Sequence, residues 1–187
     1  MNLDAQARSR LLALARDSIG HGLATSLPIP VRGEDWPDAL WVKRATFVTL
    51  TRGGRLRGCR GRIDAVQPLP QDVAVSAVET ALDDPRFPPV TAAELPELGI
   101  AISILTPAEQ VEVADMDALK ASLRPHQDGL FVVAGSHRAT FLPKVWEQLP
   151  DPADFIAALW EKAGLPPDAW PRGIRLERYA AIDFAEA

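Results

Sequence analysis

The sequence predicts an α+β fold: a mixed, mostly antiparallel sheet with flanking helices. Three observations lead there. A Gly53-Gly54 pair separates two strand-like runs, "ATFVTLT" and "RLRGCRG", and paired glycines supply the positive φ angles of a tight hairpin turn. A second hairpin is expected where "GLFVVAGSHRATFLP" turns at Gly135-Ser136. About six strands interleave with four helices along the chain, and hairpins join strands antiparallel.

The elements follow in order. Leu3, Ala7, Leu11, Leu14, Ala15 and Ile19 recur at helical spacing, which predicts a helix over about 3–19, stopped by Gly20 and Gly22. "TSLPIPVRGEDWPDAL" is expected to be an irregular arm. After the first hairpin, "PLPQDVAVSAVETALDD" places Val73, Ala77, Val78, Ala81 and Leu82 on one helical face. "PRFPPVTAAELPEL" predicts a proline-rich turn and linker. "GIAISILT" alternates Ile100, Ile102 and Ile104 against Ala101, Ser103 and Leu105, as a strand does. A short helix is expected from Met116 to Leu123, capped by Asp115. "DPADFIAALWEKAGLPP" carries a full helix signature: Asp151 as cap, Pro152 at the first position, Gly164 at the end and Pro166 beyond. "GIRLERYAAIDF" predicts one last strand.

The 187 residues suit one domain over 1–187, with a smaller lobe at about 64–98 within it. The net charge of −5 disfavours general affinity for nucleic acid or anionic membrane, because the overall field repels polyanions. The single cysteine forms no internal disulfide, and three scattered histidines build no structural zinc site with it. No metal or cofactor is expected. A lone reduced thiol fits the cytoplasm. The amphipathic N-terminus lacks the apolar core of a signal peptide, and no run reaches the roughly 20 apolar residues of a membrane span.

Against that acidic background, "RGGRLRGCRGR" gathers five arginines and four glycines around Cys59. Strand alternation predicts Arg55, Arg57 and Cys59 on one face, with Leu56 and Arg60 on the other. Guanidinium groups favour a thiolate, and open glycine amides with arginines suit a phosphate or carboxylate. Cys59 is thus the candidate catalytic residue, with Arg57, Gly58 and Gly61 as candidate substrate-binding residues. The bland alternative makes Cys59 a small packing residue, the glycines turn and packing devices, and the arginines solvated. In "LDDPRFPPV", Asp84 and Arg86 are candidate ligand contacts with Phe87 as a wall. Alternatively, Asp84 pairs with Arg86 and Phe87 plugs the core. His137 sits beside a turn, with no nucleophile elbow around Ser136. The five tryptophans are too dispersed for a stacking platform and are expected to anchor packing.

"TFVTLTRGGRLRGCRG", "TALDDPRFPPVTAAELPELGIAISILTPAE", "LRPHQDGLFVV" and "ATFLPKVWEQLPDPADFIAALWEKAGLPPDAW" stand in this order and spacing. Together they resemble the AMMECR domain family, whose prokaryotic members are also called AmmeMemoRadiSam system protein A. The resemblance covers about residues 8–185. It implies two lobes around a cleft, with the Leu-Arg-Gly-Cys (LRGC) segment beside it. It also implies a genomic or fusion association with a Memo-like protein and a radical S-adenosylmethionine enzyme, which are thus possible partners. The matching positions are Leu56, Arg57, Gly58, Cys59 and Gly61; Asp84, Arg86 and Phe87; and Thr140, Phe141, Leu142, Pro143 and Trp146. Arg60 departs from the family's usual isoleucine. On a fully buried face it would be a costly unpaired charge, so the Leu56 face is partly open, or Arg60 has a carboxylate partner, or a bulge at Gly58 breaks the alternation.

Two function classes follow. One is an enzyme or enzyme component binding or acting on a small anionic substrate, with Cys59 as nucleophile or redox-sensitive thiol, Arg57 lowering its pKa or holding an anion, and Arg86 clamping the substrate. The other is a non-catalytic module docking a partner or ligand through the same segment. Nucleic-acid binding through the Arg/Gly run is a third and weaker class, since aromatic interleaving is missing.

Overall fold

A computed structural model describes residues 3–186. The chain divides into two compact units. The first runs to Leu105 and takes in the chain from Ile182 onward; the second is Thr106–Ala181. Residues 64–98 lie inside the first unit.

In the first unit, α1 (Ala5–Thr25) and α2 (Leu69–Leu82) pack on a four-stranded sheet. The strand order is β2 (Arg55–Gly61), β1 (Thr46–Arg52), β3 (Leu98–Leu105) and β8 (Ala181–Ala185). β1 pairs antiparallel with both neighbours. Val48, Leu50, Ile100, Ile102 and Ile104 meet Leu11, Ile19, Val73 and Ala77 in a closed core. Burying each of the larger aliphatic side chains contributes about 2 kcal/mol. The alternation read in "GIAISILT" is therefore the core-facing row of β3.

α1 does not stop at Gly20 and Gly22. It runs on to Thr25 and ends at Ser26 in the left-handed region. Gly22 instead marks a close crossing, because a Cβ there would lie 2.9 Å from the Val78 side chain on α2. Helix glycines signal close packing as well as termination.

The second unit holds a sheet ordered β4 (Glu109–Gln110), β7 (Arg175–Tyr179), β5 (Gly129–Ala134) and β6 (His137–Phe141). α3 (Met116–Ser122) and α4 (Pro152–Ala163) complete it. The caps act as the sequence predicts. Asp115 accepts from the Ala118 N–H, Asp151 accepts from the Ala153 N–H, and Gly164 takes φ 75°. Trp146 stacks on Phe155 at 3.9 Å and donates its indole N–H to the Asp128 carbonyl, while Trp160 donates to Ala169. Both are packing anchors. Thr140 is spent on the Leu130 carbonyl and the Tyr179 hydroxyl, and the His137 ring on the Ala163 carbonyl.

The fold is α+β with antiparallel pairing, but among the described residues eight strands form two sheets where about six strands were expected. "GIRLERYAAIDF" is two strands, β7 and β8, one in each sheet. No helix among the described residues is long and apolar enough to cross a membrane.

Candidate functional site

The first hairpin turns at Gly53 and Gly54, with φ 56° and 75°, as its sequence predicts. Its register then slips. Leu50 faces Gly58 and Thr51 faces Leu56, so Arg57 is an extra, unpaired residue on β2. This β-bulge changes the expected faces, because an inserted residue breaks the period of two. Leu56 is opposite Thr51 and Cys59 opposite Thr49, so Leu56 shares a face with Cys59 rather than with Arg60. Cys59 is partly exposed, and the Thr49 hydroxyl donates to its sulfur at 3.2 Å.

β2 is an edge strand, and a bare edge is an open template for pairing. At Cys59 two side chains close it. The Asp84 carboxylate accepts the Cys59 N–H at 2.8 Å, and Arg86 Nη2 donates to the Cys59 carbonyl at 3.1 Å. The pair stands in for the peptide group of a neighbouring strand. Asp84 and Arg86 also bind each other as a fork, Nε to Oδ1 at 2.9 Å and Nη2 to Oδ2 at 2.7 Å. Arg86, with help from the Cys59 and Arg86 backbone N–H groups, holds the Asp84 carboxyl well below the usual carboxylate range against the opposing effect of burial. Asp84 is buried, while the Arg86 side chain is 53% exposed. Among the described residues Arg86 Nη1 has no hydrogen-bond partner. Arg86 lies over the Phe87 ring, 5.5 Å from its centroid.

The bulge aims Arg57 elsewhere. Its guanidinium donates to Glu94 through Nε at 2.9 Å, and to the Pro88 and Pro89 carbonyls at 3.0 and 3.3 Å. Arg57 is thus spent on the loop after Arg86. Arg52 pairs with Glu94 and Glu97, and Arg62 with Glu79. Arg60 donates Nη1 to the Asp83 carbonyl at the α2 C-terminus, where a cation is favoured by the helix dipole. Arg55 is exposed and has no ion pair among the described residues. Three of the five arginines that mark the sequence are therefore neutralised by carboxylates, and the cation reaching Cys59 is Arg86.

The glycines are explained by close approach. A Cβ on Gly58 would lie 2.8 Å from the Thr80 carbonyl oxygen, and one on Gly61 would lie 2.1 Å from the Thr46 carbonyl oxygen. Real Cβ atoms do not sit that near backbone, so these positions need glycine whether or not a ligand binds.

The AMMECR1 family model matches residues 12–184. The chain belongs to the AMMECR1 family. Relatives include a protein of Methanothermobacter thermautotrophicus, 37% identical over 94% of this chain and 92% of that one. Another, from Thermococcus kodakarensis, is 40% identical over 82% of this chain and 78% of its own. The crystal structure of the uncharacterized protein PH0010 from Pyrococcus horikoshii is similar at a TM-score of 0.87 and 35% identity. That match covers 95% of this chain and 90% of the other.

Within this AMMECR1 chain, the first and second motifs meet: Cys59 with Asp84 and Arg86. The Thr140–Trp146 motif packs the second unit. Arg60 is accommodated by the bulge beside Gly58 and by a carbonyl partner, not a carboxylate. Sequence reasoning missed Thr49, Thr80 and Glu94. Thr49 is visible only from register. Thr80 accepts the Arg60 N–H at 3.1 Å and donates to the Ser76 carbonyl at 2.6 Å. Glu94 had a signal, as a carboxylate inside the second motif that no other feature explained.

Proposed function

We propose that the Cys59 edge of β2 is a small-molecule site, in which the thiol binds or acts on a compound presenting an oxygen anion to Arg86. The observation behind it is a partly exposed cysteine whose carbonyl accepts from a half-exposed arginine, with no hydrogen-bond partner for Arg86 Nη1 among the described residues. Asp84 takes up much of Arg86's charge, so the site suits one oxygen of a small anion and not a polyphosphate. Asp84 orients Arg86, Thr49 steadies the sulfur, and Phe87 forms an apolar side. A free thiol of this kind belongs in a reducing compartment such as the cytoplasm.

The experiment is alkylation of the folded protein by iodoacetamide, read by mass at Cys59. Rapid labelling, slowed by added acetate or phosphate, supports the site. A sulfur that reacts only after unfolding overturns it.

A second reading is a docking module, and Leu56 favours it. This leucine is 46% exposed on the Cys59 face, where an apolar contact could seat a protein such as the Memo-like or radical enzyme the resemblance implies. Leu56→Ser would then weaken partner capture while leaving thiol labelling unchanged.

A further inference from the structure

We propose that Glu94 is the positioning residue of the Cys59 site, acting through Arg57 to hold the loop that brings Asp84 and Arg86 to Cys59. The inference rests on the site proposed above.

Glu94 collects five hydrogen bonds. Oε1 accepts from Arg57 Nε at 2.9 Å and Arg52 Nη1 at 3.2 Å. Oε2 accepts from Arg57 Nη2 at 3.2 Å, from the Thr91 N–H at 2.8 Å and from the Thr91 hydroxyl at 3.0 Å. The Arg57 and Glu94 side chains are only 12% and 14% exposed. A half-exposed loop has no need of so enclosed a carboxylate unless the loop must be held in one place. The remaining Arg57 donors go to the Pro88 and Pro89 carbonyls. Arg57 is therefore a strut from the β2 bulge to the segment that follows Arg86.

Without the bulge, Arg57 would take part in the ladder and would not reach that segment. Bulges re-aim side chains in this way. The loop's other end is set by Asp84 on the Cys59 N–H, and at the end Arg57 holds, the Val90 N–H on the Ala81 carbonyl ties the chain back to α2. Glu94 fixes Arg57, Arg57 fixes residues 88 and 89, and Arg86 is left only the conformation in which it reaches Cys59.

Charge and shape both matter. A glutamine at this position offers one accepting oxygen and turns an amide nitrogen toward donors. Glu94→Gln therefore tests the strut with little change in volume. Two readouts on the full chain are needed. One is hydrogen exchange of the Cys59 amide, whose acceptor is Asp84, measured against the core amide of Ile102. The other is the ratio of Cys59 alkylation rates with iodoacetate and iodoacetamide at low salt. The ratio cancels the thiol's own ionisation, since both reagents meet the same thiolate. A nearby cation raises it by roughly twofold.

The expected result is at least tenfold faster exchange at Cys59 with Ile102 unchanged, and a ratio reduced to that of Arg86→Gln. Unchanged exchange at Cys59, or equal acceleration at Cys59 and Ile102, overturns the proposal. If the wild-type ratio already equals that of Arg86→Gln, the anion site fails, and exchange alone then decides the role of Glu94. Should Glu94→Gln not fold, Arg57→Lys keeps the charge but loses the fork, and carries the same readouts.

Discussion

The two hairpins of this protein start alike and end differently. Each turns on glycine in the left-handed region. The β5–β6 pair then keeps an unbroken register, from Leu130 opposite Phe141 to Ala134 opposite His137. Its outer strand is met by α4, with His137 Nδ1 on the Ala163 carbonyl and Lys162 on the Thr140 carbonyl. The β1–β2 pair slips by one residue, and its outer strand is closed by Asp84 and Arg86 from a loop. A helix that is part of the core cannot leave without unfolding the unit. A loop held by ion pairs can move with the core intact, because local opening costs less than global unfolding. The proposed site therefore lies on the hairpin whose outer strand is closed by a movable loop, and the regular hairpin has no such loop.

The sharpest break in that comparison comes from the glycines. Gly61→Ala puts a Cβ against the Thr46 backbone, which cannot yield, and is expected to cost about 3 kcal/mol or more. Gly135→Ala, at the other turn, meets nothing within 4 Å and pays only for its positive φ of 62°, about 1 kcal/mol. Urea unfolding of the two variants measures the gap. Equal losses would mean that the close approach at Gly61 costs no more than a positive φ at an open turn.

Next in size is Asp84→Ala. It leaves the Cys59 N–H without its acceptor and frees Arg86 from its fork, an expected loss of about 2 kcal/mol. The matching lesion on the regular hairpin is Lys162→Ala, at an exposed contact, expected to cost under about 1 kcal/mol. Denaturant midpoints compare them.

Acid gives a graded version. Arg57, aided by the Thr91 N–H, lowers Glu94 from the usual 4.5 to about 2. A depressed carboxylate binds fewer protons in the folded state. Its stabilisation is therefore complete above about 4.5 and is lost as pH falls toward 2. The thermal midpoint should drop across that window, and drop less in Glu94→Gln, which has no carboxyl to titrate. Parallel curves for the two proteins would remove Glu94 from the ledger.

Periodicity and punctuation made most of the fold legible. Asp115, Asp151, Pro152 and Gly164 mark helix ends because capping is local chemistry, and both hairpins follow from their glycines. The misreadings are all tertiary. Gly22 looked like a stop because the sequence does not show Val78 lying across it. "GIRLERYAAIDF" looked like one strand because nothing local says that its halves join different sheets. The candidate site was legible as a set of residues but not as a geometry. Cys59, Asp84 and Arg86 do meet. Arg57 was expected beside the thiol, but a one-residue bulge sends it to Glu94. Strand alternation holds only while register holds, and a bulge fixed by distant partners leaves no pattern of its own.

The smallest expected effect is also the one that separates frame from site. Cys59 sits opposite Thr49, partly exposed, with one hydroxyl on its sulfur. Its N–H and carbonyl, not its side chain, hold Asp84 and Arg86. Cys59→Ala keeps those backbone groups and gives up a weak sulfur contact and a little apolar area. The expected cost is therefore under about 1 kcal/mol, with the Asp84–Arg86 closure intact and all thiol labelling gone. Val132→Ala, in the centre of the regular hairpin's sheet and fully buried, should cost about 2 kcal/mol or more. If Cys59→Ala destabilised the protein as much as Val132→Ala, the sulfur would be a packing group. The bulged hairpin would then be frame like its counterpart, and Arg86 would have only the edge of β2 to explain it.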